Sequence, residues 1–332
     1  MTGHALAQLS NDLLYSAMAV YAGAMYFFAA ELAFGSPRRR AAEVEHRELV
    51  QVGASPAYDD KDVPPAAQAG TDADTAREQR AGRLGRVAVS LTVLAFALHL
   101  ASIVARGVSA GRPPWGNMFE FSTTGAFAVT AVFLVLLARG KDVRYLGTFV
   151  ILPVLLTLGL AVAVLYTESA QLVPALKSVW LVIHVTAAII ASGILTIGFC
   201  QSVCYLVQEK RERVPAESRE PSFMDRLPSA AVLDRSAYKM HAFAYPIWTF
   251  AVIAGAIWAE NAWGRYWGWD PKETWAFITW MVYTAYLHAR ATAGWKGRRA
   301  AYLAALGYAT FLFNYLVVNI WLVGFHSYAG VG

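Results

Sequence analysis

The chain has 332 residues, of which 57% are hydrophobic and only 15% charged, and its mean hydropathy is positive. An average soluble domain carries about 25% charged residues, so this composition argues against a soluble protein and predicts an all-α integral membrane protein. The net charge of +5 requires no nucleic-acid partner, because membrane topology accounts for it.

Apolar runs long enough to cross a bilayer predict about eight transmembrane helices. In chain order they lie at roughly 11–34, 87–106, 120–138, 145–166, 178–207, 241–259, 271–291 and 301–323. The first run lacks a basic n-region, and SPRRR follows it where a signal peptide would carry small residues, so we expect residues 1–40 to keep it as a span. Residues 41–86 have no apolar periodicity, which predicts a flexible cytoplasmic linker before a membrane domain at 87–332.

Basic residues predict the orientation. With eight spans the loops alternate sides, and the loops after spans one, three, five and seven hold 23 of the 28 lysines and arginines. The positive-inside rule makes these loops cytoplasmic. In a multi-pass protein of the plasma membrane, both termini and the loop between spans six and seven would then be extracytoplasmic.

That loop contains WGRYWGWDPKETW, residues 263–275. Asp270, Pro271 and Glu273 form the pattern of a capping box with proline at the first helical position, so we expect them to begin the seventh span. The indoles need another explanation, because six of the chain's eleven tryptophans fall within residues 258–280. Such a density predicts a platform for a large flat ligand, of which a porphyrin, a quinone and a sterol are examples.

Four of the seven histidines lie in or at the end of different spans: His99, His184, His288 and His326. An ionisable residue within a span is a functional candidate. His184 and His326 lie at the depth of the tryptophan segment, and two neutral imidazoles are one way in which proteins hold haem iron. His99 and His288 could form a second axial pair, although their predicted depths differ. His241 is expected to be an interfacial residue at the cytoplasmic surface.

The tryptophan segment, extended to WGRYWGWDPKETWAFITW, resembles the signature of the haem-handling WWD-domain proteins of cytochrome c maturation. Further landmarks resemble that family in the same order: LHLASIVARGVSAGRPPWGNMFEF (98–121), WLVIHV (180–185), AYLHARATAGWKGRRAAYLAALGYATFLFNYLVVN (285–319) and GFHSYAG (324–330). Eight spans in 332 residues resemble the CcsA/ResC type of system II, which some lineages name CcsB.

The resemblance implies that haem b passes from the cytoplasm to the outer face and is joined there to a C-x-x-C-H apocytochrome c. The chain would be the haem-binding subunit of a holocytochrome c synthase, acting with a ResB/Ccs1-type membrane protein and a protein that reduces the client thiols. The client cysteines react, so no catalytic residue is expected in this chain. The implied iron ligands are His184 with His326 outside and His99 with His288 in transit. The implied contacts of the porphyrin are Trp263, Trp267, Trp269, Asp270 and Trp275.

Two other functions are compatible with the residues. One is a haem transporter without a role in attachment. The other is a b-type electron-transfer protein, although no span carries two of the four histidines, whereas such proteins commonly place two ligands on one helix. The sequence also leaves open whether Trp115, Asn117 and Glu120 contact haem or cap the third span, and whether Asn314 and Asn319 form a polar path or join helices.

Overall fold

A computed structural model describes residues 3–34, 65–169, 177–215, 218–220 and 222–326, without the side chains of 65–75. The described part of the chain is helical and contains no strand, which confirms the predicted all-α class. The helices are α1 (Gly3–Phe34), α2 (Pro65–Ala110), α3 (Met118–Ala138), α4 (Gly147–Ala163), α5 (Val179–Glu212), α6 (Ala230–Trp263), α7 (Pro271–Ala291), α8 (Arg298–Leu312) and α9 (Val318–Trp321). Single 3-10 turns lie at Arg144–Leu146 and Phe223–Arg226, and a π-helical turn at Phe313–Val317 joins α8 to α9.

Seven segments of the described chain are long and apolar enough to cross a membrane. They coincide with α1, α2 from Ala76, α3, the Arg144–Ala163 segment, α5, α6 and the continuous Arg298–Trp321 segment. The eighth predicted span is also a helix, since α7 covers residues 271–291. Its mean hydropathy is lower because it carries Lys272, Glu273, His288 and Arg290. The protein is therefore a multi-pass membrane protein of about eight helices.

The start of the second helix differs from the prediction. α2 begins at Pro65, so residues 65–86, expected to belong to a linker, are helical, while residues 35–64 lie outside the described part. Residues 76–86 read AREQRAGRLGR, and alanine, arginine, glutamate and glutamine are strong helix formers. The apolar run that follows continues the same helix, so nothing in the sequence makes the helix begin at residue 87.

α5 lies at the centre of the bundle, with 72% of its most apolar stretch buried. It packs against α3 and α6 through small residues, and a side chain at Gly193 would meet the backbone of Ala128 at 3.0 Å. Cys200 and Cys204 on α5 are buried and form no disulfide, which supports their interpretation as packing residues. The α5–α6 pair brings the first turns of α5 and the last turns of α6 to the same end of the bundle, which we call the WWD end because residues 258–280 lie there.

The expected interfacial position of His241 is wrong. The side chain is 0% exposed and packs between Ser202 of α5 and the rings of Tyr283 and Tyr286 of α7. The reason is the helix boundary: α6 begins at Ala230 rather than near residue 241, so this histidine lies about three turns inside the helix.

Candidate functional site at the WWD end

The loop between α6 and α7 is fixed at both ends by local structure. α6 ends at Trp263, and the following Gly264 has a positive φ of 69°, the left-handed conformation that glycine adopts after helix C-termini. α7 begins with the expected capping box: the Asp270 side chain accepts a hydrogen bond from the Lys272 N–H at 3.3 Å, and the Glu273 side chain accepts one from the Asp270 N–H at 3.1 Å. The intervening residues, 264–270, are thereby held across the end of the bundle.

A mainly apolar groove opens beside this loop, with an empty volume of about 1220 Å³ including its mouth. Its walls come from the start of α3, from α5, α6 and α7, and from the segment after α8. The aromatic and histidine side chains that line it are Trp115, Phe121, His184, Trp248, Trp258, Trp263, Tyr266, Trp267, Phe311, Tyr315 and His326.

His184 reaches the groove from α5 with one ring nitrogen already engaged. Its Nδ1–H donates a hydrogen bond to the Ala251 carbonyl at 2.7 Å, which places the lone pair on Nε2. Its ring lies nearly parallel to that of Trp258, with centroids 6.2 Å apart. Gly255 makes room for the ring, because a Cβ there would lie 2.8 Å from His184 Cε1. Backbone, indole and glycine thus fix the orientation of this imidazole.

His326 reaches the same groove from beyond α9 and is tethered in the same way. Its Nδ1–H donates to Asp270 Oδ2 at 2.8 Å, while Asp270 Oδ1 accepts the Phe325 N–H at 2.6 Å. Asp270 therefore has a second task besides capping α7. A carboxylate behind a histidine fixes the tautomer and raises the basicity of the other nitrogen, an arrangement common at metal-binding histidines.

Burial and hydrogen bonding determine the protonation states of Asp270 and His326. Burial raises the pKa of the Asp270 carboxyl, but hydrogen bonds from His326 and Phe325 outweigh it and hold the pKa below its ordinary value. Burial lowers the pKa of the His326 imidazole, and the Asp270 hydrogen bond only partly opposes this effect. At pH 7 the carboxylate is ionised and the imidazole is neutral, the form that binds a metal ion.

The tryptophans of the loop divide into two groups. Trp263 lies against the groove, with its ring centroid 5.1 Å from that of His326 and 4.8 Å from that of Trp258, and Trp267 also lines the groove. Trp269 is 66% exposed and packs edge-on against Trp267 and Phe277. Trp275 packs against Phe313, with centroids 4.0 Å apart. Neither Trp269 nor Trp275 is among the residues that line the groove.

The structure places the second predicted pair of histidines, His99 and His288, on α2 and α7. His99 is 0% exposed on α2, enclosed by Tyr21 of α1 and Phe127 of α3. His288 is exposed on α7, a helix that packs against α6 and α8. The two histidines therefore lie in different surroundings, and their pairing on one haem stays a prediction.

The segment before α3 both caps the helix and lines the groove. Asn117 is the N-cap, and its Oδ1 accepts the Glu120 N–H at 2.8 Å. Glu120 is fully buried and binds Arg106, Arg112 and the Gly116 N–H. Trp115 and Asn117 reach the groove wall, whereas Glu120 holds their loop in place. Sequence alone did not show whether these residues contact a ligand or cap α3, because both roles use the same short motif.

Comparison with known proteins agrees with this architecture. The family described as "Cytochrome C assembly protein" matches residues 115–326, from Trp115 in the groove wall to His326. The chain belongs to this family. It is 33% identical to the cytochrome c biogenesis protein CcsA of Synechococcus sp. (strain JA-2-3B'a(2-13)) over 303 residues, covering 74% of this chain and 84% of the relative. It is also 37% identical to CcsA of Guillardia theta over 256 residues, covering 71% and 83%.

A third relative, CcsA of Gloeothece citriformis, is 35% identical over 288 residues, with 74% of this chain and 87% of the relative covered. The similarity to these relatives therefore covers most of this chain and most of each relative. The family match at residues 115–326 includes the helices that line the groove. Family membership places the chain in cytochrome c maturation.

Proposed function

We propose that the groove holds haem b on the extracytoplasmic face, with His184 and His326 as axial ligands, for covalent attachment to apocytochrome c. The observation that supports the proposal most strongly is the matched pair of imidazoles. Each donates its Nδ1–H to a protein oxygen, and each lines the same groove, so both lone pairs are on Nε2. Two neutral imidazoles are a known donor set for haem iron.

The groove walls suit the rest of the macrocycle. Indole and phenyl rings surround the two histidines, and aromatic contacts add roughly 0.5–1.5 kcal/mol each beyond the burial of area. Trp258 lies close to both histidines, with its ring centroid 6.2 Å from that of His184 and 5.7 Å from that of His326. These contacts would orient the porphyrin plane while the imidazoles fix the iron.

In this proposal the chain contributes position rather than a reacting group. Each client thiol adds across a haem vinyl group: the sulfur bonds to one vinyl carbon, and the thiol proton is transferred to the other. The C-x-x-C-H histidine of the client replaces one axial imidazole, which aligns both thiols with the vinyls. Holding reactants in a near-attack geometry lowers a barrier by up to roughly 7–11 kcal/mol.

The proposal includes the plasma membrane, with the WWD end outside because most basic residues fall in the other set of loops. It also includes a ResB-type membrane partner, delivery of haem from the cytoplasm, and a separate protein that keeps the client cysteines reduced. These elements follow from the resemblance of the sequence to system II proteins.

The test is expression of the chain with a ResB-type partner and an apocytochrome c, followed by a stain for covalently bound haem. Wild-type protein should give a stained cytochrome. The His184→Gly, His326→Gly double variant should give almost none, and added imidazole should restore part of it by filling the vacated ligand positions. His4→Gly is the matched control, since His4 is exposed at the start of α1. Full staining with the double variant would contradict the assignment.

The same experiment separates the proposal from its alternatives. A transporter without a role in attachment would deliver haem that remains extractable by acid, whether or not a client is present. An electron-transfer protein would retain stoichiometric haem and turn over with quinol, and its activity would not depend on an apocytochrome.

A further inference from the structure

One cation lines the groove beside the histidines. Lys272 lies in the first turn of α7 and is the one lysine or arginine among the described residues of the groove wall. Its Nζ donates a hydrogen bond to Asn319 Oδ1 at 2.7 Å, which fixes the ammonium group between α7 and α9. The side chain is half-buried, and the wall around it is mainly apolar. An ammonium group in such a place is costly unless an anion accompanies it.

The nearby carboxylates are already engaged by other donors. Asp270 binds His326, the Phe325 N–H and the Lys272 backbone N–H. Glu273 binds the Gly268 and Asp270 N–H groups and pairs with Arg265 at 3.4 Å. Among the residues that the structure describes, no carboxylate oxygen lies within 4.0 Å of Lys272 Nζ. Lys272 Nζ therefore has no ion-pair partner among the described residues, and a bound carboxylate would stabilise its charged form.

The π-helical turn explains how Asn319 holds the lysine. A π turn breaks the regular hydrogen bonding of the helix, and such turns often occur at functional sites. Asn319 Nδ2 bonds the carbonyls of Tyr315 and Asn314 at 2.6 and 3.3 Å, which points its Oδ1 at Lys272. Asn314 is 5% exposed and lines the groove, and its Oδ1 has no hydrogen-bond partner among the described residues. Asn314 Oδ1 is an acceptor, so it offers nothing to an anion, whereas Lys272 Nζ is a donor in the same groove wall.

We propose that Lys272, held by Asn319, is a carboxylate-binding subsite of the groove and receives one propionate of the haem. The inference rests on the proposed function, because it concerns the ligand of the same groove. A flat ligand fixed only by two axial imidazoles can rotate about the axis that joins them. A single charged contact at one edge fixes that rotation and so determines which vinyl groups face the client thiols.

The test measures binding of two ligands to the same purified protein in detergent: ferric haem b and its dimethyl ester, in which both carboxylates are blocked. The wild-type chain should bind haem about tenfold more tightly than the diester, as expected for one hydrogen bond to a charged group. Lys272→Gln should bind both ligands with nearly equal affinity and give the same bis-histidine absorption spectrum. Because each variant is compared with itself, a general loss of stability affects both titrations and cancels.

Matched variants make the result specific. Lys272→Arg keeps the charge and should keep most of the preference for haem. Lys177→Gln removes an exposed lysine that lies outside the groove and should leave the preference unchanged. If Lys272→Gln does not accumulate, Asn319→Asp provides the second test, because a carboxylate at 2.7 Å would occupy the ammonium and remove the preference.

A preference for haem that persists in Lys272→Gln, or in Asn319→Asp where that variant is needed, overturns the subsite. Equal affinity of the wild-type chain for haem and for the diester also overturns the subsite. These outcomes leave the proposed function intact if the bis-histidine spectrum is present. Failure of the wild-type chain to bind either ligand would instead contradict the proposed function itself.

Discussion

Four histidines of this protein fall into two environments, one beside a groove and one enclosed by packed side chains. At the WWD end, His184 and His326 each engage Nδ1 with a protein oxygen and present the rest of the ring to a groove. Within the bundle, His99 and His241 are 0% exposed and packed against tyrosines. A histidine inside a membrane helix is thus a ligand candidate when its partner fixes the tautomer and a cavity faces the other nitrogen.

Asp270 provides the strongest test of the difference between the two environments, because it caps α7 and also tethers His326. Asn is as good an N-cap as Asp, so Asp270→Asn should preserve helix α7 while removing the carboxylate behind the histidine. Haem affinity should fall by about 10–100-fold, as for other losses of a partner behind a ligand. Titration with haem, together with a thermal melt in detergent, measures both effects. If stability and affinity fall together, the carboxylate acts through the fold rather than through His326.

Gly255 tests the other histidine. A methyl group at this position would lie 2.8 Å from His184 Cε1, so Gly255→Ala should displace the imidazole and weaken haem binding by about tenfold. Gly159→Ala on α4 is the matched control, since no heavy atom lies within 4 Å of its added Cβ. Equal haem affinity in the two variants would show that the position of the His184 ring does not matter.

Two tryptophans of the same loop, Trp263 and Trp269, differ in whether they line the groove. Trp263→Ala should weaken haem binding by about fivefold, in line with one aromatic contact. Trp269→Gly should change it by less than about twofold, because this ring does not line the groove and its φ of 58° suits glycine. The affinities of the two variants for haem, measured side by side, provide the check. A larger loss for Trp269→Gly would place the exposed indole, rather than Trp263, on the ligand.

The smallest effect is expected at His99. Its Nε2 has no hydrogen-bond partner among the described residues, and its Nδ1 is 3.5 Å from the Tyr21 hydroxyl. Replacement by leucine keeps most of the volume, so His99→Leu should change the free energy of unfolding by about 1 kcal/mol or less and leave haem binding unchanged. Loss of haem from a variant with unaltered thermal stability would show that a haem reaches His99.

Much of the fold follows from the sequence because long apolar runs and helix caps are local signals. The capping box at Asp270 and the eight helical segments were predictable in this way. The start of α2 at Pro65 was not, because a helix-forming polar segment looks like a linker when apolar periodicity is the criterion. His241 was misplaced for the same reason, since the start of α6 lies 11 residues before the apolar run.

The site was only partly predictable. The clustering of tryptophans in residues 258–280 and the predicted depth of the histidines in their spans led to His184, His326 and Trp263. The sequence could not show which side of a helix faces a cavity. The double role of Asp270 depends on Phe325 and His326, more than 50 residues away, and no local pattern encodes that contact. The environment of Lys272 likewise depends on the π turn at Phe313–Val317.

The most direct test of the central claim is a density map of the haem-loaded protein in detergent or in a bilayer disc. We expect the iron in the groove at the WWD end, bonded to Nε2 of His184 on one side and Nε2 of His326 on the other, with Trp258 beside the ring. Haem bound elsewhere in the bundle, or in the groove without either histidine on the iron, would contradict it.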